Sequence, residues 1–189
     1  VETRTRILEA AWKLLSSADE APTRMADIAK EAGVSRQAVY LHFPSRGELL
    51  IETTRYIDEV EDVAGQIAAV MGNETGRERL SAFVQAWGNY IPVVHGGAKR
   101  LLAIKDSDPD AAAAWRDRMD GLLGVCKTIV ETLSAEGQLA EGLTKKEAAT
   151  VMWATLGIQQ WELLTVERKL SQKRYLELTH RTLLRTLID

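Results

Sequence analysis

The stretch Met25-Ala-Asp-Ile-Ala-Lys-Glu-Ala-Gly-Val-Ser-Arg-Gln-Ala-Val-Tyr-Leu-His-Phe43 limits the possible folds more than any other part of the chain. Met25, Ile28, Ala29 and Ala32 recur at helical spacing, so one face of a first short helix is apolar. Gly33 follows at once, where a helix C-terminus needs a residue that tolerates positive φ. Val34 is placed to plug an angle between helices, and Ser35 to cap the next one through its side-chain oxygen. That second helix buries Val39 and Phe43 and leaves Arg36, Gln37, Tyr40, Leu41 and His42 on or near its outer side. A short helix held nearly perpendicular on another, with Arg and Gln at its exposed N-terminal end, is built like a reader of the DNA major groove. An ordinary helical hairpin would share the glycine turn. The polar residues at the start of the second helix, with an aromatic behind them, favour DNA.

Residues 4–56 resemble the N-terminal domain of TetR-type transcriptional repressors, above all in Ile28-Ala-Lys-Glu-Ala-Gly-Val-Ser-Arg-Gln-Ala-Val-Tyr-Leu-His-Phe-Pro-Ser-Arg-Gly-Glu-Leu-Leu50. Two positions depart from the pattern. Arg46 stands where the family usually has Lys, which keeps the charge and with it a phosphate contact. Gln37 stands where many members have Gly and adds a base reader, so no relative's operator can be borrowed. Beyond about residue 60 the resemblance is one of layout. It implies an all-α protein: an N-terminal three-helix helix-turn-helix domain over 1–50, then a larger helical ligand-binding and dimerisation domain over 51–189, about nine helices in all.

With 189 residues the chain can bury a real core, and four prolines suit an all-helical architecture. The net charge is −3, but residues 24–46 carry Arg24, Lys30, Arg36 and Arg46 against Asp27 and Glu31, a local +2 that leaves −5 for the remainder. A weakly basic head on an acidic body suffices for DNA, since the patch matters more than the total. The single cysteine, Cys126, excludes an internal disulfide framework and fits a reducing cytoplasm. No apolar run reaches membrane-spanning length and no signal peptide is expected. Val1 in place of Met is compatible with an N-terminal arm ahead of it.

Periodicity predicts a first helix over 2–18, broken by Asp19–Pro22, and Thr23 as N-cap of the second. Ser45 would cap a long fourth helix from Arg46 to Met71, linking the DNA module to the second domain. Leu80–Val94 would form a fifth helix with a kink at Pro92, which lacks the N–H that would bond Gly88. His95-Gly96-Gly97 reads as a break before a short sixth helix over 99–105. Asp108-Pro109 opens a seventh running to about Glu136. Thr144 and Glu147 form a capping box for an eighth, to about Lys169, and Ser171 caps a ninth, to about Leu187.

For base edges the candidates are Arg36 and Gln37, which can bridge guanine and adenine respectively, and Ala38, which can touch a thymine methyl. Thr23, Arg24, Ser35, Tyr40, His42 and Arg46 are candidates for phosphates; His42 reads equally well as a cover for Phe43. In the second domain Trp87, Tyr90, Trp115, Met119, Met152 and Trp153, with Gln159 as a polar contact, suit a pocket for a flat or greasy small molecule. Plain core packing explains any one of them as well. The eighth and ninth helices are apolar nearly all round, which suggests a four-helix dimer interface through Leu156, Trp161, Leu164, Tyr175, Leu183 and Leu187. A central buried helix in a monomer is the plainer alternative.

Nothing points to catalysis. His42, His95 and His180 lie far apart, none pairs with Cys126 or a carboxylate at a ligand spacing, and no phosphate-binding glycine loop or nucleophile elbow occurs. No metal or cofactor is expected. The function expected is therefore a homodimeric repressor of a palindromic double-stranded DNA operator, released by a small apolar or aromatic effector. The two reading helices would sit about 34–36 Å apart, and an effector wedged among the fourth, fifth, seventh and eighth helices would change that separation. The alternatives are a DNA-binding activator or architectural protein without a ligand, and a helical carrier or enzyme whose N-terminal hairpin is only structural.

Overall fold

The computed structural model describes residues 2–17 and 23–188. The described residues form ten α-helices and one π-helical segment, and no strand beyond an isolated antiparallel bridge between Leu139 and Ile188. The helices are α1 (Glu2–Ser16), α2 (Met25–Ala32), α3 (Arg36–His42), α4 (Arg46–Val60), α5 (Val63–Met71), α6 (Gly76–Ile104), α7 (Pro109–Ala135), α8 (Lys145–Thr155), α9 (Ile158–Trp161) and α10 (Gln172–Leu187). The π segment is Glu162–Glu167. The expected break at Asp19–Pro22 lies outside the described residues.

Two packing units emerge. The first holds the chain up to Val63 together with Val94–Met119, and the second holds Ala64–Val93 and the chain from Asp120 onward. The chain passes between them after Val63, within α6 and within α7. These units follow contacts and are a different division from one drawn at residue 50.

The first unit has two adjoining apolar clusters. Ile7, Leu8 and Ala11 of α1 pack with Met25, Ile28 and Ala29 of α2, Val39 of α3, Phe43 and Leu49, and Val34 fills in at the turn. Leu15 and Leu50 pack with Leu101, Ala111 and Ala114, with Trp12, Ile51, Ile104 and Trp115 around them.

Several expected helix boundaries move, each for a visible reason. The fourth helix does not reach Met71. It stops at Val60, and Asp62 adopts φ +48, a left-handed conformation that short polar residues tolerate, before α5 starts at Val63. His95-Gly96-Gly97 is no break, because α6 runs unbroken from Gly76 to Ile104. The two glycines serve close packing: a Cβ on Gly97 would lie 2.4 Å from the Trp12 ring, and one on Gly96 would lie 3.0 Å from the Ser16 carbonyl. Pro92 sits inside this helix, and the Gly88 carbonyl it leaves without a partner accepts from Gln172 Nε2 at 2.7 Å. The eighth helix ends at Thr155; Leu156-Gly157 interrupts it, and the chain resumes as α9 and the π segment. Thr23 does not cap α2, where Arg24 holds the cap position without a side-chain bond.

The expected caps at Ser35, Ser45, Thr144 and Ser171 are present, with the Thr144–Glu147 box complete. A further box, Thr75 with Glu78, starts α6; its Thr-x-x-Glu spacing was readable in the sequence.

Candidate nucleic-acid interface

The turn between α2 and α3 is fixed from three sides. Gly33 takes φ +64, and Val34 N donates to Ala29 O at 3.0 Å, closing α2. Arg6 of α1 reaches across and donates to Ala32 O at 2.7 Å, so the carbonyls of the helix end are neutralised by a cation. Ser35 Oγ accepts from Ala38 N at 3.1 Å and starts α3, while its own hydroxyl proton stays available. Below, Phe43 is 1% exposed and lies under the Arg4 guanidinium, 5.2 Å from its ring centroid. Arg4 is in turn held by Glu52. Arg4 thus covers Phe43, and His42 is left exposed beside it.

This scaffold presents a polar ridge. Arg36, Gln37, Tyr40, Leu41 and His42 are all exposed, whereas Val39 is fully buried. Arg36 lies over the Tyr40 ring at 5.6 Å and reaches its hydroxyl at 3.4 Å, which restrains a long cation in a defined direction. Ala38 is half-buried at the edge of the ridge. Leu41, 80% exposed, also stands on this ridge, and its side chain offers an apolar surface of the kind that contacts a thymine methyl. Arg24 is exposed at the start of α2.

Two nominated phosphate contacts are placed otherwise. Thr23 is 4% exposed, so its hydroxyl is not presented to a ligand. Arg46 is tied inward: Nε donates to Thr23 O at 2.7 Å, and the guanidinium pairs with Asp108 at 2.9 Å and Asp110 at 3.3 Å. Burial pushes the Asp108 carboxyl up, but the Arg46 hydrogen bond, the N–H groups of Ala111 and Asp110 and the Arg46 charge outweigh it and hold the group below the usual range.

The residues nominated for an effector divide between the units. Trp115 and Met119 belong to the first, and Trp115 packs against the cluster of Leu15, Leu50 and Leu101. Trp87, Tyr90, Met152, Trp153 and Gln159 belong to the second. There Phe83, Trp87 and Tyr90 form an aromatic run with ring centroids 6.2 and 5.7 Å apart, and Trp87 Nε1 donates to Leu156 O at 2.8 Å. Met152 is fully buried, Trp153 half-buried and Gln159 exposed.

Four nominated interface residues are corrected. Leu156, Tyr175, Leu183 and Leu187 are each 0% exposed within the single chain, so they pack in its own core and offer no surface to a partner. Tyr175, Leu183 and Leu187 share the one buried face of α10, whose outer face carries Lys173, Arg174, Glu177, Arg181 and Arg185, and periodicity alone cannot say whether such a face is covered by the chain itself or by a partner. Trp161 and Leu164 remain half-exposed, and Trp161 Nε1 donates to Gln172 Oε1 at 2.9 Å. The exposed apolar residues here are Val151, Leu163 and Val166.

Among the described residues no group of three or more His, Cys, Asp and Glu could hold a metal ion, and no helix is long and apolar enough to cross a membrane.

Comparison with known proteins agrees with this geometry. The family model for bacterial regulatory proteins of the tetR family matches residues 7–53, from within α1 through α3 and into the first half of α4. The probable HTH-type transcriptional regulator ArpR of Pseudomonas putida is 41% identical over 176 residues, covering 86% of this chain and 81% of that protein. The HTH-type transcriptional regulator EthR of Mycobacterium tuberculosis is 25% identical over 151 residues, 77% of this chain and 68% of its own. A regulator from Saccharomonospora viridis, solved in complex with choline, superposes with a TM-score of 0.78 at 22% identity over 100% of this chain and 98% of its own, a likeness of fold. These relatives are transcriptional regulators, and by its helix-turn-helix ridge and its likeness along most of its length the chain belongs to the TetR family of bacterial regulatory proteins.

Proposed function

We propose that the protein is a ligand-responsive repressor that binds a palindromic operator as a homodimer and releases it on binding a small apolar or aromatic effector. The reading head is the segment up to Leu50, and the rest of the chain carries effector binding and dimerisation. The observation that carries the proposal is the exposed ridge of α3, where Arg36 and Gln37 are exposed at the first turn on a buried Val39 and Phe43. Both side chains have bidentate geometry for purine edges, and Arg24, the Ser35 hydroxyl, Tyr40 and His42 flank them for the backbone. One such short helix binds weakly alone, so a dimer with two half-sites supplies the affinity. The exposed Val151, Leu163 and Val166, with half-exposed Trp161 and Leu164, are the surface offered to the partner copy.

The effector reading draws on the aromatic run of Trp87 and Tyr90, with Met152 and Trp153, in the second unit. The choline complex above and a structure of FadR from Bacillus subtilis with stearoyl-CoA show relatives of this fold holding small molecules. Going from mostly bound to mostly free DNA asks the effector for about 5 kcal/mol of preference for the released state. The test is selection of duplexes from a random pool, followed by titration of the selected duplex with a panel of neutral aromatic compounds. A palindromic consensus, and compounds that quench tryptophan emission while releasing DNA, are expected. A pool with no enriched sequence would overturn the operator reading. Quenching without release would overturn induction.

A further inference from the structure

Arg46 opens α4 and faces two carboxylates. Its Nε holds the carbonyl of Thr23, the residue two before α2, at 2.7 Å, and its Nη1 lies 2.9 Å from Asp108 and 3.3 Å from Asp110. Asp108 is itself fixed, accepting from Asp110 N at 3.1 Å and Ala111 N at 3.2 Å as the cap of α7. Asp110 needs Gly47 beneath it: a Cβ at that position would lie 2.8 Å from Asp110 Oδ1. The carboxylate therefore rests on the first turn of α4, whose dipole favours negative charge. Further along the same pair of helices Arg55 meets Asp117 at 2.7 Å, and Arg118 meets Asp58. Three ionic rungs thus join α4 to the start of α7, all within the first packing unit. The lowest also grips the start of the helix-turn-helix.

We propose that Arg46 is a positioning residue for DNA recognition and not a phosphate contact: with Asp108 and Asp110 it latches the start of α2 and α4 to α7 and holds α3 at its binding angle. Charge supports this. One guanidinium against two carboxylates leaves the cluster at −1, which repels a phosphate, and Arg46 would have to abandon both partners and Thr23 to reach one. Gly47 matches this arrangement, since a Cβ there would press on the Asp110 carboxylate at 2.8 Å. The proposal deepens the operator-binding reading and rests on it.

The two roles predict opposite signs for one substitution. Asp110→Asn removes a negative charge beside the DNA-facing unit and loosens the hold on Arg46, which keeps Asp108 and the Thr23 carbonyl. If Arg46 contacts phosphate, binding tightens. If Arg46 is a latch, binding weakens. The probes are a duplex selected by the unmodified protein from a random pool and a random duplex of equal length, titrated over a range of salt. Under the latch, Asp110→Asn and Arg46→Gln each weaken the selected duplex by roughly three- to thirtyfold. The double variant is no worse than either single one, and the salt slope is unchanged. Asp117→Asn, one rung up and clear of the cap, shifts affinity in the same direction and serves if an Arg46 variant fails to fold. Tighter binding by Asp110→Asn, or a salt slope lowered by about one per half-site in Arg46→Gln, overturns the latch and leaves the operator reading intact. Failure of the unmodified protein to select any duplex overturns the operator reading itself.

Discussion

In the proposed reading Arg36 and Gln37 carry sequence discrimination, because α3 exposes them at its first turn while Ser35 spends its oxygen on the cap. Replacing either by Ala should relax preference at one base position per half-site and cost about 1–3 kcal/mol on the selected duplex. Equal loss on selected and random duplexes would remove the base-reading role. Asp108 gives a pH signature. Its carboxyl is held below the ordinary value in the folded protein, so its charge contributes stability above the unfolded value of about 4. That contribution is lost as pH falls through the lower, folded value. Asp108→Asn keeps an N-cap of similar quality, so thermal melts of the two proteins should differ at neutral pH and converge in acid. Cys126 is 0% exposed and burial pushes its thiol up to about 12. It should resist alkylation in the native protein and react only on unfolding. Native-state labelling at neutral pH would contradict this burial.

At the scale of elements, α6 shows how one proline is accommodated. Pro92 strips the Gly88 carbonyl of its helical partner, Gln172 supplies a substitute, and the other end of Gln172 accepts from Trp161. Four residues before Pro92, Gly88 lets α10 approach: a Cβ there would lie 2.3 Å from Leu176 Cδ2. One turn of α6 is therefore stitched to α10 and, through Trp87 and Leu156, to the interruption after α8. Gln172→Leu should strand both a carbonyl and an indole N–H, costing about 1–3 kcal/mol. Thermal melts would read the loss and tryptophan emission would shift. An unchanged melting temperature would mean that water replaces the amide without cost. The interruption at Leu156-Gly157 was not legible because both residues fit an apolar helical pattern. The Gly96-Gly97 pair looked like a break because glycine is the same letter whether it ends a helix or admits a neighbour, here Trp12.

For the molecule as a whole, the distribution of apolar surface separates folding from association. Leu183 is fully buried and Leu163 is 52% exposed. Leu163→Asp should yield a folded monomer by sedimentation with weakened operator binding, whereas Leu183→Asp should lower stability by several kcal/mol or abolish folding. A dimer that survives a charge at Leu163 would move the interface elsewhere. If effector and operator are coupled, each must weaken the other by the same factor, so titrations in both orders must agree.

The sequence by itself determined what depends on near neighbours: the two short helices and their Gly33 turn, the serine and threonine caps, the all-α class and the family. Those features need only spacing, propensity and residues three or four apart, which a linear pattern records. How each side chain is used once helices meet came from packing. It turned Arg46 from a surface cation into the centre of a cluster with residues sixty-two and sixty-four positions away. It also took Leu156, Tyr175, Leu183 and Leu187 into the core and left Leu163 and Val166 outside. An apolar helix face does not say whether its own chain or a second one will cover it, because that choice belongs to the packing partner and not to the helix.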